Sequence, residues 1–187
     1  MIQFASKQDA DDILPLLLSA IGNIAFTLSG TEDPDETYRT LKHFYLREDN
    51  RLSYNNVLVC RKDDKAAGML LCYAGDVAAA LDYPIAAYLS EIGAEKQKQQ
   101  LVTEARPGDF YLDSIAVKAN MQGRGVAREL MSAFEQIGSE RQFARLSLIV
   151  EPGNERAYNL YKKQGYQEDD HMIVSGKTYI RMIKPLE

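Results

Sequence analysis

Apolar side chains recur along this chain at two spacings, every three to four residues in some stretches and every second residue in others, which separates helices from strands. A short strand is expected at 1–5. A helix follows over 10–21, with Pro15 inside it as a kink or a delayed start. Thr31-Glu32-Asp33-Pro34 reads as a helix entrance, and the helix over about 35–48 gathers Tyr38, Leu41, Tyr45 and Leu46 near one face. Val57-Leu58-Val59-Cys60 is a β-type run, Asp63-Asp64 a turn, and 66–73 the hairpin partner. The stretch 75–108 is Ala-rich, broken by Pro84 and Gly93, then polar from Lys96 to Gln100, and reads as a helical insertion with an exposed tail.

The signal sharpens after Asp109. A strand over 110–117 places Tyr111, Asp113, Ile115 and Val117 on one face by period-two alternation, with Ser114 on the other. A strong amphipathic helix is expected over 123–137, with Val126, Leu130, Phe134 and Ile137 in one stripe and Ala127 and Met131 beside it. Then come an apolar strand at 146–150, a helix over 154–164 stopped by Gly165, and strands at 166–171 and 178–183 that close around Ser175-Gly176. This order predicts an α/β (α+β) fold, a mixed and partly antiparallel central sheet flanked by helices, in a single domain over 1–187.

Composition narrows the class without naming a function. A chain of 187 residues with 45% hydrophobic and 26% charged positions has room for one sizeable core. It has no apolar run long enough for a membrane span, and Met1-Ile2-Gln3-Phe4 does not read as a secretory leader. The formal net charge of −5 gives no broad basic surface for nucleic acid. Cys60 and Cys72 form no metal-ligand spacing with His43 or His171, and two buried thiols in a reducing, cytoplasmic setting are expected, without a metal.

The most informative segment is Gln122-Gly123-Arg124-Gly125-Val126-Ala127, between a strand and the start of a helix. Main-chain N–H groups in a helix's first turn lack intrahelical partners, and the macrodipole adds partial positive charge there. Glycines let that backbone approach a bulky anion such as a diphosphate. A Walker loop is excluded because no Gly-Lys-Ser/Thr follows, and the dinucleotide fingerprint is incomplete. A glycine-rich helix start that binds nothing remains the alternative.

The run YLDSIAVKANMQGRGVARELM resembles the central motif of GNAT acetyltransferases, in which an apolar strand ends in Val and a Gln/Arg-x-x-Gly-x-Gly/Ala loop opens a helix. NERAYNLYKKQGY resembles the next motif of that family, through Asn154, Ala157, Leu160, Tyr161, Gly165 and Tyr166. The resemblance is strong over about 110–166 and only an outline before it. It implies that backbone amides of Gln122, Gly123, Arg124, Gly125, Val126 and Ala127 hold the pyrophosphate of acetyl-CoA. It implies that Ile115, Ala116 and Val117 pair with the pantetheine arm, and that their strand splays from the one at 146–150. Asn154 would contact the arm, act as a helix N-cap, or do both.

The resemblance also implies an N-acetyltransferase in which an amine attacks bound acetyl-CoA directly. Tyr161 lies one turn after Ala157 on the same helix face, and a phenol of ordinary acidity, near ~10, can protonate a departing thiolate. By the resemblance it is the general acid. Asp113 is the candidate base, directly or through water, and a solvated strand-end carboxylate is its competing reading. A backbone N–H of 115–117 can polarise the thioester carbonyl. Neither cysteine sits in a motif for an activated nucleophile. The acceptor is an amine-bearing small molecule or a peptide or protein amine, and the family makes a homodimer a reasonable expectation. A module that binds acetyl-CoA as a sensor and transfers nothing is the alternative, with a plain interaction domain behind it.

Overall fold

The computed structural model describes residues 1–186. Seven strands, β1 (Ile2–Phe4), β2 (Val57–Lys62), β3 (Lys65–Ala74), β4 (Asp109–Val117), β5 (Arg145–Val150), β6 (Gln167–Val174) and β7 (Lys177–Pro185), form one sheet in the order β1-β2-β3-β4-β5-β7-β6. Every neighbouring pair is antiparallel except β4 and β5, which run parallel and are joined through a helix, as a parallel crossover requires. The mixed α/β architecture expected from the element order is therefore present.

Helices cover both faces. The first face carries α1 (Ala10–Ile21), α2 (Ile24–Ser29), α3 (Pro34–Leu46) and α4 (Ala78–Glu91), whose Ile13, Leu17, Leu28, Leu41, Phe44 and Ile85 pack on Val57, Val59, Met69 and Leu71. The second face carries α6 (Val126–Glu140) and α7 (Glu155–Lys163), with Leu130, Met131, Phe134 and Tyr161 against Leu58, Leu70, Phe110, Leu148 and Met182. Alternation along β2 sends Val57 and Val59 to one core and Leu58 and Cys60 to the other, so a strand buried on both faces reads as a continuous apolar run. Cys60 and Cys72 are both buried and free.

Local chemistry explains several element ends. Asp33 caps α3 by accepting the Glu36 N–H at 2.8 Å, with Pro34 in the first helical position, as the sequence of that entrance predicts. The stretch between Gly22 and Gly30, which shows no clear period, contains the short helix α2. The polar tail after Gly93 is helical as well, forming α5 (Glu95–Gln100). Pro15 lies inside α1 in its second turn, past the N–H groups that lack partners at a helix start, so its missing N–H leaves the Asp11 carbonyl without an intrahelical donor.

Two expectations need correction. The helix expected from 123 begins at Val126, because Gly123 and Gly125 adopt φ of +75° and +82° and make a turn before it. Gly125 is the N-cap in left-handed conformation, a state that costs other residues a Cβ clash. The alternation along β4 also fails at Asp113. The pairing with β3 slips between Leu71↔Ser114 and Cys72↔Leu112, leaving Asp113 as the extra residue of a β-bulge. Tyr111 and Asp113 face the α4 side, whereas Ile115 and Val117 pack with the α6 core. A bulge inserts one residue and so reverses which face every later side chain meets.

Candidate functional site: the β4–β5 wedge and the start of α6

The parallel pairing of β4 with β5 runs from Asp109↔Arg145 to Leu112↔Leu148 and stops. Beyond that point β5 continues to Val150 beside β7, while β4 continues to Val117 beside β3. Alternate main-chain groups of β4 after the bulge therefore have no strand partner on the β5 side, which leaves a wedge with hydrogen-bonding capacity along one wall. Ile115, Ala116 and Val117 form that wall and are half-buried.

The chain leaves Val117 through Lys118, held to α1 by an ion pair with Asp12 at 2.9 Å, and reaches the glycine turn. The Gln122 side chain donates back to the Val117 carbonyl at 3.4 Å. Gln122, Gly123, Arg124 and Gly125 are exposed, Ala127 is half-buried, and Val126 is buried as the anchor of α6. A Cβ built on Gly123 or Gly125 would meet no protein atom within 4 Å, so both open onto free space. Arg124 has no ion-pair partner among the described residues. Glu129, an acid in the first turn of α6 where it would repel an anion, is compensated by Lys62 at 2.7 Å. A left-handed glycine turn, an open helix start and a neutralised acid fit a diphosphate, and the unpaired wall fits an amide-bearing arm.

On the α7 side, Asn154 caps the helix by accepting the Ala157 N–H at 3.1 Å, and the residue is exposed. Its N-cap reading holds. Tyr161 is 6% exposed, with its ring 5.9 Å from that of Tyr166. Burial pushes its phenol up to about 12, above the ordinary value expected from sequence, and no hydrogen bond contributes to that shift. Tyr158 packs at the edge of the same core, while its hydroxyl donates to Glu168.

Asp113 is not a solvated strand-end carboxylate. Its side chain is 7% exposed, accepts the Tyr73 hydroxyl at 2.8 Å and lies 3.8 Å from Nε of Arg51. Around them the fold assembles groups from five segments. Asp82 of α4 sits 3.3 Å from Arg51 and accepts the Thr103 hydroxyl at 2.7 Å. Glu104, in the coil before β4, accepts the hydroxyl of Tyr111. None of Arg51, Tyr73, Asp82 and Glu104 was singled out from sequence. Nothing in the motif spacing marks them, and a buried arginine is visible only once its carboxylates surround it.

Glu104 is pushed up to about 7 from its usual 4.5, chiefly by burial and against the pull of Arg51. A raised carboxyl stabilises the folded chain fully below about 4.5, and that contribution is lost as the pH rises through about 7. The denaturation midpoint of the protein should therefore fall between pH 5 and 8 more steeply than that of Glu104→Gln. Parallel slopes in urea titrations of the two proteins would rule this out.

A parallel strand pair that opens into a wedge, with a glycine turn and helix start at its mouth, has a shape and a set of main-chain donors that fit an extended group ending in phosphates. Residues 19–166 match the model of the acetyltransferase (GNAT) family, so the chain belongs to that family. Among solved structures it is similar to an N-acetyltransferase from Staphylococcus aureus Mu50, with 26% identity and a TM-score of 0.80 over 98% of this chain and 100% of that one. It is similar to another acetyltransferase with 23% identity and a TM-score of 0.76 over the whole of both chains. It also shares its fold with a PaiA N-acetyltransferase from Thermoplasma acidophilum in complex with coenzyme A, at 14% identity and a TM-score of 0.59, over 100% of this chain and 98% of that one. No curated protein sequence matches it. No helix among the described residues is long and apolar enough to cross a membrane.

Proposed function

We propose that the protein transfers an acetyl group from acetyl-CoA to an amine by direct attack in a ternary complex. The observation that carries this reading is the end of β4–β5 pairing at Leu112↔Leu148, followed along the same strand by a glycine turn whose Cβ positions face open space. Backbone amides of Gln122, Gly123, Arg124, Gly125, Val126 and Ala127 grip the pyrophosphate, and the guanidinium of Arg124 adds a counter-charge. Main-chain groups of Ile115, Ala116 and Val117 take the pantetheine arm, and Asn154 borders it while capping α7. The bound thioester supplies the acetyl carbon on which the carbon–nitrogen bond forms as the carbon–sulfur bond breaks.

The residues then divide the proton work. A main-chain N–H past the bulge stabilises the carbonyl oxygen as it gains charge. Asp113 takes the proton of the attacking amine, and Tyr161, which keeps its own proton at neutral pH, gives it to the departing sulfur. The acceptor is an amine-bearing small molecule or a peptide or protein amine, and the site of action is the cytoplasm, in a monomer or a homodimer.

Release of free CoA thiol should be followed with acetyl-CoA across spermidine, aniline, an aminoglycoside, free amino acids and a lysine peptide. Acetylation of at least one amine with stoichiometric thiol release is expected. Calorimetric binding of acetyl-CoA without transfer to any of these amines would favour a sensor module, and absence of binding would remove both readings.

A further inference from the structure

The polar cluster behind Asp113 has an imbalance of charge that the proposed chemistry uses only in part. Three carboxyl groups, Asp82, Glu104 and Asp113, share one guanidinium, that of Arg51, and all four side chains are buried. With every group ionised, this interior site would hold two uncompensated negative charges. A site of low dielectric resists that and takes up a proton or a cation instead.

The contacts tell the three acids apart. Asp82 is paired with Arg51 at 3.3 Å and with the Thr103 hydroxyl. Asp113 faces Arg51 Nε at 3.8 Å and accepts from Tyr73. Glu104 has no cation within ion-pair distance among the described residues, and its partner is the neutral hydroxyl of Tyr111. Arg51 Nε is buried without a hydrogen-bond partner, so the guanidinium is not fully engaged and points its spare donor at the Asp113 side of the cluster. The charged and titratable groups facing Glu104 are Arg51 from the loop after α3, Tyr73 of β3, Asp82 of α4, Tyr111 and Asp113 of β4, and Tyr179 of β7. Burial and the cluster's carboxylates hold the phenols of Tyr73 and Tyr111 well above the ordinary tyrosine range, and burial with Glu151 raises that of Tyr179, so these three hydroxyls keep their protons at neutral pH.

We propose that Glu104 is a positioning residue for acetyl transfer, holding the cluster's single proton at rest and, once ionised, making Asp113 able to accept the proton of the incoming amine. This rests on Asp113 as the base. With Glu104 neutral, the amine proton would enter a cluster in which Arg51 already balances half of the remaining negative charge. With Glu104 ionised, the same proton relieves a buried excess, and its transfer to Asp113 is favoured. The proton leaves the nitrogen and stays on Asp113 until solvent removes it, while the thiolate takes its own from Tyr161.

The test uses the full chain in two arms. Carbon-13 NMR of protein labelled at glutamate Cδ, without any acceptor, should show one carboxyl titrating near 7. That resonance should be missing in Glu104→Gln and should titrate at lower pH in Asp113→Asn, which removes a neighbouring negative charge. Turnover of acetyl-CoA with the best amine of the panel should fall about tenfold from pH 8 to pH 6 through this group, on top of any slope from the amine itself. Glu104→Gln should lose that extra slope and keep its CoA affinity, since the amine's own ionisation contributes equally to both proteins. The glutamine still accepts the Tyr111 hydroxyl, so the fold has its contact. A Glu104 that titrates in the usual carboxyl range, or superimposable pH profiles in enzymes where Asp113→Asn still abolishes turnover, would overturn the role of Glu104 alone. Unchanged turnover in Asp113→Asn would overturn the base assignment and this inference with it.

Discussion

Tyr161→Phe is expected to lower turnover by about 10²-fold or more while leaving CoA affinity almost unchanged. The ring stays, and with it the packing beside Tyr166 and the α6 core. Only the hydroxyl goes, and no hydrogen bond among the described residues is lost with it. Burial that lifts the phenol to about 12 keeps it protonated across the neutral range, which is the state a proton donor needs. The phenolate that could act as a base is hardly populated at neutral pH, so the acid role is the one its protonation state permits. Steady-state kinetics beside calorimetric CoA binding separates the two effects. Full turnover in the phenylalanine variant would take Tyr161 out of the reaction.

The second large effect falls on binding instead of turnover. Gly125→Val should weaken CoA binding by about 100-fold, the size of losing a few charge-assisted hydrogen bonds at once. Its φ of +82° makes any side chain costly there, by about 1–2 kcal/mol of stability. Yet no protein atom lies within 4 Å of the added Cβ, so the fold itself has space for it. The loss of affinity would therefore come from the bulk set against the anion, and circular dichroism should report a folded protein with a modestly lower melting point. Wild-type affinity in a folded Gly125→Val variant would contradict the placement of the pyrophosphate. Opposite signatures in these two variants, one in turnover and one in affinity, would distinguish chemistry at the thioester from grip on the phosphates.

Much of the cofactor side was legible in the residues. The stripe Val126, Leu130, Phe134 is the buried face of α6, and Asn154 is the cap of α7. Both are local consequences of helix period and of a side-chain oxygen near free N–H groups. The glycine turn was legible as a place of backbone freedom, though its helix begins three residues later than the pattern suggests. The acceptor side was harder to read. The bulge at Asp113 arises from the register of β3 against β4 between Leu71 and Cys72, which alternation within one strand does not encode. Its effect was large, since it moved Ile115 and Val117 to the face opposite Asp113.

By itself the sequence determined the periods of its helices and strands, the caps at Asp33 and Asn154, and a place of backbone freedom at the glycines before α6, because each depends on neighbours a few residues apart. Tertiary packing alone decided that Arg51, Asp82, Glu104 and Asp113 meet in one buried site and that, among the described residues, Glu104 lacks a cation at ion-pair distance there. Electrostatic energy depends on distance in space and on the exclusion of water, and both come into being only when α4, the coil before β4 and the sheet close around the same few atoms.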